Sequence, residues 1–203
     1  MRYRYLRYLV LAMPGRVYDE LLDLAQDQHG YLRSEDVRAA GFDPKRLVDY
    51  QRRGVAERVA YGVYRMNAIP PDQLEEYMRA ALWPMGAGVL SHETALDLYE
   101  LCDVNPARID VTVPRRYRTH RTVPALYRLH PRDLDNGQVG RLRGLPIVAP
   151  LRAILDGIES DVRGQLIEQA IQTAEQQSLI TPDGAVCARD AHAAHHARVA
   201  RER

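Results

Sequence analysis

The sequence predicts an α+β protein: an N-terminal winged helix-turn-helix followed by an α+β domain with a small sheet and packed helices. Three observations predict it. A basic helix bounded by Asp43-Pro44 and Gly54 leads directly into a short β-prone hairpin, and two amphipathic helices precede it. After Pro70-Pro71, alternating strand-like runs are flanked on both sides by apolar helical stripes. The natural division is 1–66, 67–180 and a mobile tail, 181–203.

The chain begins MRYRYLRYLVLAM, with Arg2, Arg4 and Arg7 ahead of an apolar run from Leu9 to Met13. That run is too short for a secretory signal, and no small-residue cleavage site follows. The tyrosine-arginine alternation suits either a basic arm that touches DNA or an extension upstream of a start at Met13. We read it as a weakly ordered extension.

Arg16 to Gln28 carries Tyr18, Leu21, Leu22 and Ala25 on one stripe, and Ser34 to Ala40 is a second short helix with Ser34 as its cap and Gly41 as the following turn. The basic helix comes next. Asp43 can accept from its first free N–H groups, and Pro44 suits the first helical position, where no N–H is needed. Leu47 and Val48 form its packing side; Lys45, Arg46, Asp49, Arg52 and Arg53 form the other. Val55 to Val59 and Gly62 to Arg65 then read as the two strands of a wing joined through Ala60-Tyr61-Gly62, with Arg58 and Arg65 on it. In a winged helix-turn-helix the last helix enters the major groove and flanking arginines hold phosphates. A charged helix face is also what simple solvation produces, so fold and DNA binding are separate claims.

Beyond the Asn67 to Pro71 linker, Leu74, Tyr77, Met78, Ala81 and Leu82 mark a helix that starts at Asp72. Ser91 is a plausible cap for the helix of SHETALDLYEL. Ile109, Val111 and Val113 alternate with Asp110 and Thr112, as in a half-buried strand stopped by Pro114; the run around Tyr127 reads as its neighbour, and Leu145 to Val148 as a third strand. Two further helices follow, one marked by Ile154 and Ile158, the other by Ile167, Ala170 and Ile171. After Leu179 the periodicity fades.

The charge is nearly balanced, 28 Lys/Arg against 27 Asp/Glu, which argues against a nucleic-acid coat protein. It is unevenly spread, however: 1–70 holds 12 basic and 9 acidic residues, 71–107 holds 1 and 7, 108–152 holds 10 and 3, and 153–203 holds 5 and 8. That suits one anionic partner and a separate interaction surface. Cys102 and Cys187 form no metal or disulfide pattern, and no run is long enough to span a membrane, so a reducing cytoplasm fits best.

Several segments together resemble a known family. They are GYLRSEDVRAAGFDPKRLVDYQRRGVAERVAYGVYR, VLSHETALDLYEL, IDVTVPRR and GLPIVAPLRAILD, covering Gly30 to about Asp156. They are similar to the AbiEi-like antitoxins, transcriptional regulators of type IV toxin-antitoxin systems. The resemblance implies a winged helix that binds inverted repeats in its own operon's promoter and represses it. It also implies a C-terminal domain that opposes a cognate nucleotidyltransferase toxin of AbiEii type. Carried onto this chain, the DNA-contacting residues are Lys45, Arg46, Arg52 and Arg53 on the helix, with Arg58 and Arg65 on the wing. Two half-sites require a homodimer or two monomers bound cooperatively.

No nucleotide-binding fingerprint or kinase motif set is present, nor is a spaced Asp and Glu-x-Lys constellation for a nuclease; no cofactor is implied. Ser91, His92 and Glu93 have the residue types of an activated nucleophile, yet adjacent helical residues point apart, and capping explains them as well. One alternative is an antitoxin that phosphorylates its toxin, with Ser91, His92, Glu93 and Asp156 as candidates. Another is a plain regulator with a ligand-sensing C-terminal domain. Arg115, Arg116, Arg118 and Arg121 crowd a loop without acidic residues, an anionic-partner patch that Arg141, Arg143 and Arg152 could extend. His192, His195 and His196 share a helical face but have no fixed carboxylate or cysteine beside them, so we assign no metal site.

Overall fold

The computed structural model describes residues 15–201, so the N-terminal extension and its proposed basic arm lie outside the described residues. The architecture is α+β, with two small sheets and eight α-helices among the described residues. These residues form two compact units, 15–87 with 143–145, and 88–142 with 146–201.

In the first unit, α1 (Arg16–Gln26) is followed by β1 (Tyr31–Arg33), α2 (Ser34–Ala39), α3 (Lys45–Arg52), β2 (Ala56–Ala60), β3 (Val63–Met66) and α4 (Glu75–Leu82). The sheet is antiparallel in the order β1-β3-β2, with Leu32 opposite Tyr64 and Ala56 opposite Met66. Strand β1 carries no alternating signal because it has only three residues. Leu21, Ala25, Leu32, Val37, Leu47, Tyr64 and Met66 fill the core.

Two local expectations change. Ser34 is the first residue of α2 rather than its cap; the Asp36 carboxylate accepts from the Arg33 backbone N–H at 2.9 Å and from its guanidinium at 2.7 Å. On α3 the buried pair is Leu47 and Tyr50, three residues apart, while Val48 is 36% exposed. Tyr50 meets Tyr18 of α1 edge to face at 5.7 Å, and so fills the place expected for Val48. The ends of α3 follow the sequence: Asp43 accepts from the Lys45 N–H at 2.9 Å, and Gly54, with φ of +70°, turns the chain where a side chain would be strained.

The second unit contains β4 (Val89–Leu90), α5 (His92–Leu98), β5 (Ile109–Val113), β6 (Tyr127–Pro131), β7 (Val139–Leu142), β8 (Leu145–Val148), α6 (Pro150–Glu159), α7 (Gly164–Gln176) and α8 (Pro182–Arg201). Its mixed sheet has the order β6-β5-β4-β8-β7; β5 runs parallel to β6 and antiparallel to β4. Strand β5 is buried along its whole length, not half-buried, because Asp110 and Thr112 face hydrogen-bonding partners instead of water. The segment read as a mobile tail is helix α8. Its apolar pattern fades because the positions it buries are the small residues Gly184, Ala185 and Ala188, which allow close approach to α6 and α7.

Gly157 sets the spacing around α6. A Cβ there would lie 3.0 Å from Leu96 Cδ1 and 3.1 Å from Ile167 Cδ1, and both neighbours are fully buried. Overpacking of about 1–3 kcal/mol then outweighs the helix-propensity gain of about 1 kcal/mol. Gly157→Ala is expected to lower stability by roughly 1 kcal/mol, measured as a lower urea midpoint with an unchanged slope.

Candidate functional site

The first unit presents a basic surface because α3 must turn Leu47 and Tyr50 inward. Lys45, Arg46, Arg52 and Arg53 are consequently exposed. Arg52 is 76% exposed and only loosely paired with Asp49 at 3.7 Å. Arg58 is exposed on β2, with its guanidinium carbon 5.5 Å from the Tyr61 ring centroid. Arg65 is placed differently. It is 15% exposed, bonds to Glu75 at 2.8 and 3.2 Å, and donates to the Ile69 carbonyl at 3.1 Å. Tyr31 also donates to Glu75, at 3.2 Å, so Arg65 belongs to the tie between the sheet and α4 and not to the outer basic face.

The second unit holds a buried polar cluster that sequence spacing did not reveal. Ser91, His92, Asp110, Thr112 and Asp156 are each at most 6% exposed. They come from the start of α5, from β5 and from α6. Thr112 Oγ1 donates to Ser91 Oγ at 2.8 Å, leaving the Ser91 hydroxyl hydrogen for His92 Nδ1, also at 2.8 Å. Ser91 thus occupies the capping position of α5 without capping it through its side chain. The His92 ring stacks on His130 at 3.6 Å between centroids, and His130 Nε2 bonds Asp110 at 2.8 Å. His92 itself sits at φ of +53°, uncommon for a residue with a side chain and costly by about 1–3 kcal/mol.

Asp156 is the deepest charge. Arg152 bonds its Oδ1 at 2.7 Å, Arg132 stands 3.9 Å from the same oxygen, and both arginines also engage Glu159. Its Oδ2 has no hydrogen-bond partner among the described residues; His92 Nδ1 is 3.9 Å away. Burial outweighs the two arginines and pushes the Asp156 carboxyl above its ordinary range. Burial, and then the neighbouring His130, push the His92 pKa down to about 3, so the ring is neutral.

Of the four catalytic candidates, the fold gathers Ser91, His92 and Asp156 and leaves Glu93 outside the cluster's hydrogen bonds. Ser91 and Asp156 have no exposed surface and His92 is 6% exposed, so the three side chains are packed into the interior. The cluster's chemistry is that of a lock between α5, β5, β6 and α6. On the surface, Arg115, Arg116, Arg118 and Arg121 are exposed along the β5–β6 connection. Arg118 donates to the Arg115 and Tyr117 carbonyls at 2.6 and 2.8 Å, which holds that loop in shape. On α8, His195 bonds Asp161 at 2.7 Å, and among the described residues no group of three or more His, Cys, Asp or Glu is placed to hold a metal. No helix among the described residues is long and apolar enough to cross a membrane.

These features define a small α+β protein with an N-terminal unit of helices and a hairpin that exposes a basic face. Residues 19–67 match the family described as transcriptional regulator, AbiEi antitoxin. No curated protein matches the chain. Among solved structures, the crystal structure of the RV2827C protein from Mycobacterium tuberculosis aligns over 89% of this chain and 82% of its own, with 16% identity and a TM-score of 0.38.

Removing Asp156 would leave Arg152, only 11% exposed, without its closest partner. Asp156→Ala is expected to cost about 3 kcal/mol, while Glu159→Ala, whose carboxylate is half exposed, should cost about 1 kcal/mol or less in the same denaturant titration. His92 gives a pH test. The unfolded chain binds its proton near pH 6.5 and the folded chain only near 3, so the unfolded state holds more protons between those values. Stability therefore falls as pH drops through that window, by up to about 1.4 kcal/mol per pH unit from this group. Asparagine tolerates positive φ and can accept from Ser91. The slope of Tm against pH between 4 and 6 should be shallower in His92→Asn.

Proposed function

We propose that the chain is an antitoxin-type regulator whose first unit works as a winged helix-turn-helix on the promoter of its own operon. In this reading the second unit counters a nucleotidyltransferase toxin encoded beside it. The observation that supports it most directly is α3, which buries Leu47 and Tyr50 and leaves Lys45, Arg46, Arg52 and Arg53 outside, within a segment that matches a regulator family. The exposed helix face reads base edges while the arginines displace counterions from phosphates. The β2–β3 hairpin serves as the wing, with Arg58 outward; Arg65 is left out of the contact set because Glu75 holds it.

Arg52→Ala with Arg53→Ala is expected to weaken binding to a duplex taken from upstream of its own gene by at least tenfold. Loss of two phosphate contacts should also flatten the plot of log K against log salt by about 2. The same double variant should still restore growth of cells expressing the neighbouring toxin gene. An unchanged salt slope would reject α3 as the recognition helix, and failure of the wild-type chain to restore growth would reject the antitoxin role.

A further inference from the structure

The start of α1 and one side of α3 border a recess of about 240 Å³ in the first unit. Arg46, Tyr50 and Arg53 line it from α3 and its end, spaced so that they share one helical face. Gly15 and Val17 line it from α1, and no carboxylate does. Tyr50 is only 8% exposed, yet its hydroxyl makes no hydrogen bond among the described residues. A phenol buried to this degree is ordinarily paired. Burial raises its pKa above the ordinary value, against the pull of Arg46 and Arg53, so the group stays protonated and can donate.

The first turn of α1 is also left open. Gly15 offers no side-chain cap, and its carbonyl accepts from the Tyr18 N–H at 2.7 Å and the Asp19 N–H at 3.1 Å. The Arg16 and Val17 N–H groups find no acceptor among the described residues. The recess thus gathers two guanidinium groups, a donor hydroxyl and the positive end of a helix around a space without an acceptor carboxylate. That set matches a dianion with three terminal oxygens. A carboxylate, with one charge and two oxygens, would leave donors unused.

We propose that the recess between α1 and α3 binds a small phosphate dianion, free or as a phosphomonoester, and that its occupancy withdraws Arg46 and Arg53 from DNA. The second half of the proposal rests on the DNA-binding reading above; the first does not. A recess of this size holds a phosphate and a small attached group, not a large ligand. Bound there, the dianion accepts from Tyr50 and from the first N–H groups of α1. It also neutralises two of the charges that would otherwise displace counterions from the duplex.

The test titrates the full chain with inorganic phosphate at constant ionic strength, chloride making up the balance. Saturable amide chemical-shift changes are expected at Arg16 and Val17. Ribose 5-phosphate binding more tightly than phosphate identifies a monoester, and binding equally or more weakly identifies the free ion; ribose itself should not bind. Tyr50→Phe keeps the ring against Tyr18 and should weaken phosphate about tenfold with Tm unchanged. Arg46→Gln with Arg53→Gln should abolish saturation, and this surface pair decides if Tyr50→Phe lowers Tm. Saturating phosphate should weaken binding of the wild type to the duplex from upstream of its own gene about fivefold or more. It should also flatten the plot of log K against log salt by about 2. Tyr50→Phe, binding that duplex like wild type in chloride, should lose most of this sensitivity. Shifts that do not saturate, or that spread equally to the Arg52 and Arg58 amides, would overturn the site, as would unchanged phosphate affinity in a stable Tyr50→Phe. Phosphate bound at α1 with duplex affinity unaltered would overturn the regulatory half. If the wild type binds no duplex, the DNA-binding reading fails and the amide titration still decides the site.

Discussion

A buried carboxylate dictates much of the second unit. Asp156 has no exposed surface, and an ionised group so placed costs several kcal/mol unless opposite charge and hydrogen bonds surround it. Arg152, one helical turn earlier, supplies the first partner, and Arg132 approaches from just beyond β6. Glu159 then joins the two arginines on the outer side. One acidic residue on α6 thereby ties the helix to the end of the sheet and explains why Arg132, distant in sequence, converges with Arg152 and Glu159 of the helix.

The histidine pair belongs to the same constraint. His92 can stack on His130 at close range only because one ring stays neutral; burial keeps it so, and the Ser91 hydroxyl satisfies its Nδ1. The left-handed backbone of His92 is the strained element, held in place by the hydrogen bonds of Ser91, Thr112 and Asp110. A Ser-His-Asp set looks like a nucleophile and its base, but here the same Nδ1 of His92 faces both Ser91 and Asp156, and neither Ser91 nor Asp156 has exposed surface.

How much of this was legible in the sequence varies with the kind of signal. The bounds of α3 were readable because Asp43, Pro44 and Gly54 act locally. Its buried face was misassigned at Val48, since the choice between Val48 and Tyr50 depends on Tyr18 in another helix. The fully buried β5 read as half-buried because Asp110 and Thr112 look like solvent-facing positions until His130, Thr94 and Ser91 are brought to them. Helix α8 was illegible for the opposite reason: alanine and glycine pack well yet carry almost no periodic signal. In the candidate site, Lys45, Arg46 and Arg52 of α3, Arg53 at its end and Arg58 are readable as exposed basic residues by type and spacing, whereas Arg65 is not separable from them without Glu75.

That contrast among arginines is the general point about how charge is used here. Arg65, Arg132 and Arg152 face carboxylates from other elements and serve the fold, while Lys45, Arg46, Arg52, Arg53 and Arg58 face outward. In the DNA-binding reading, five outward charges on one chain release about five condensed counterions, giving a salt slope near −4.5, which is modest for a specific regulator. Two chains on an inverted repeat would double that slope, to about −9, without adding a residue. In that reading the small basic face of α3 and its hairpin suits a paired site, because a single half-site would hold the chain only weakly.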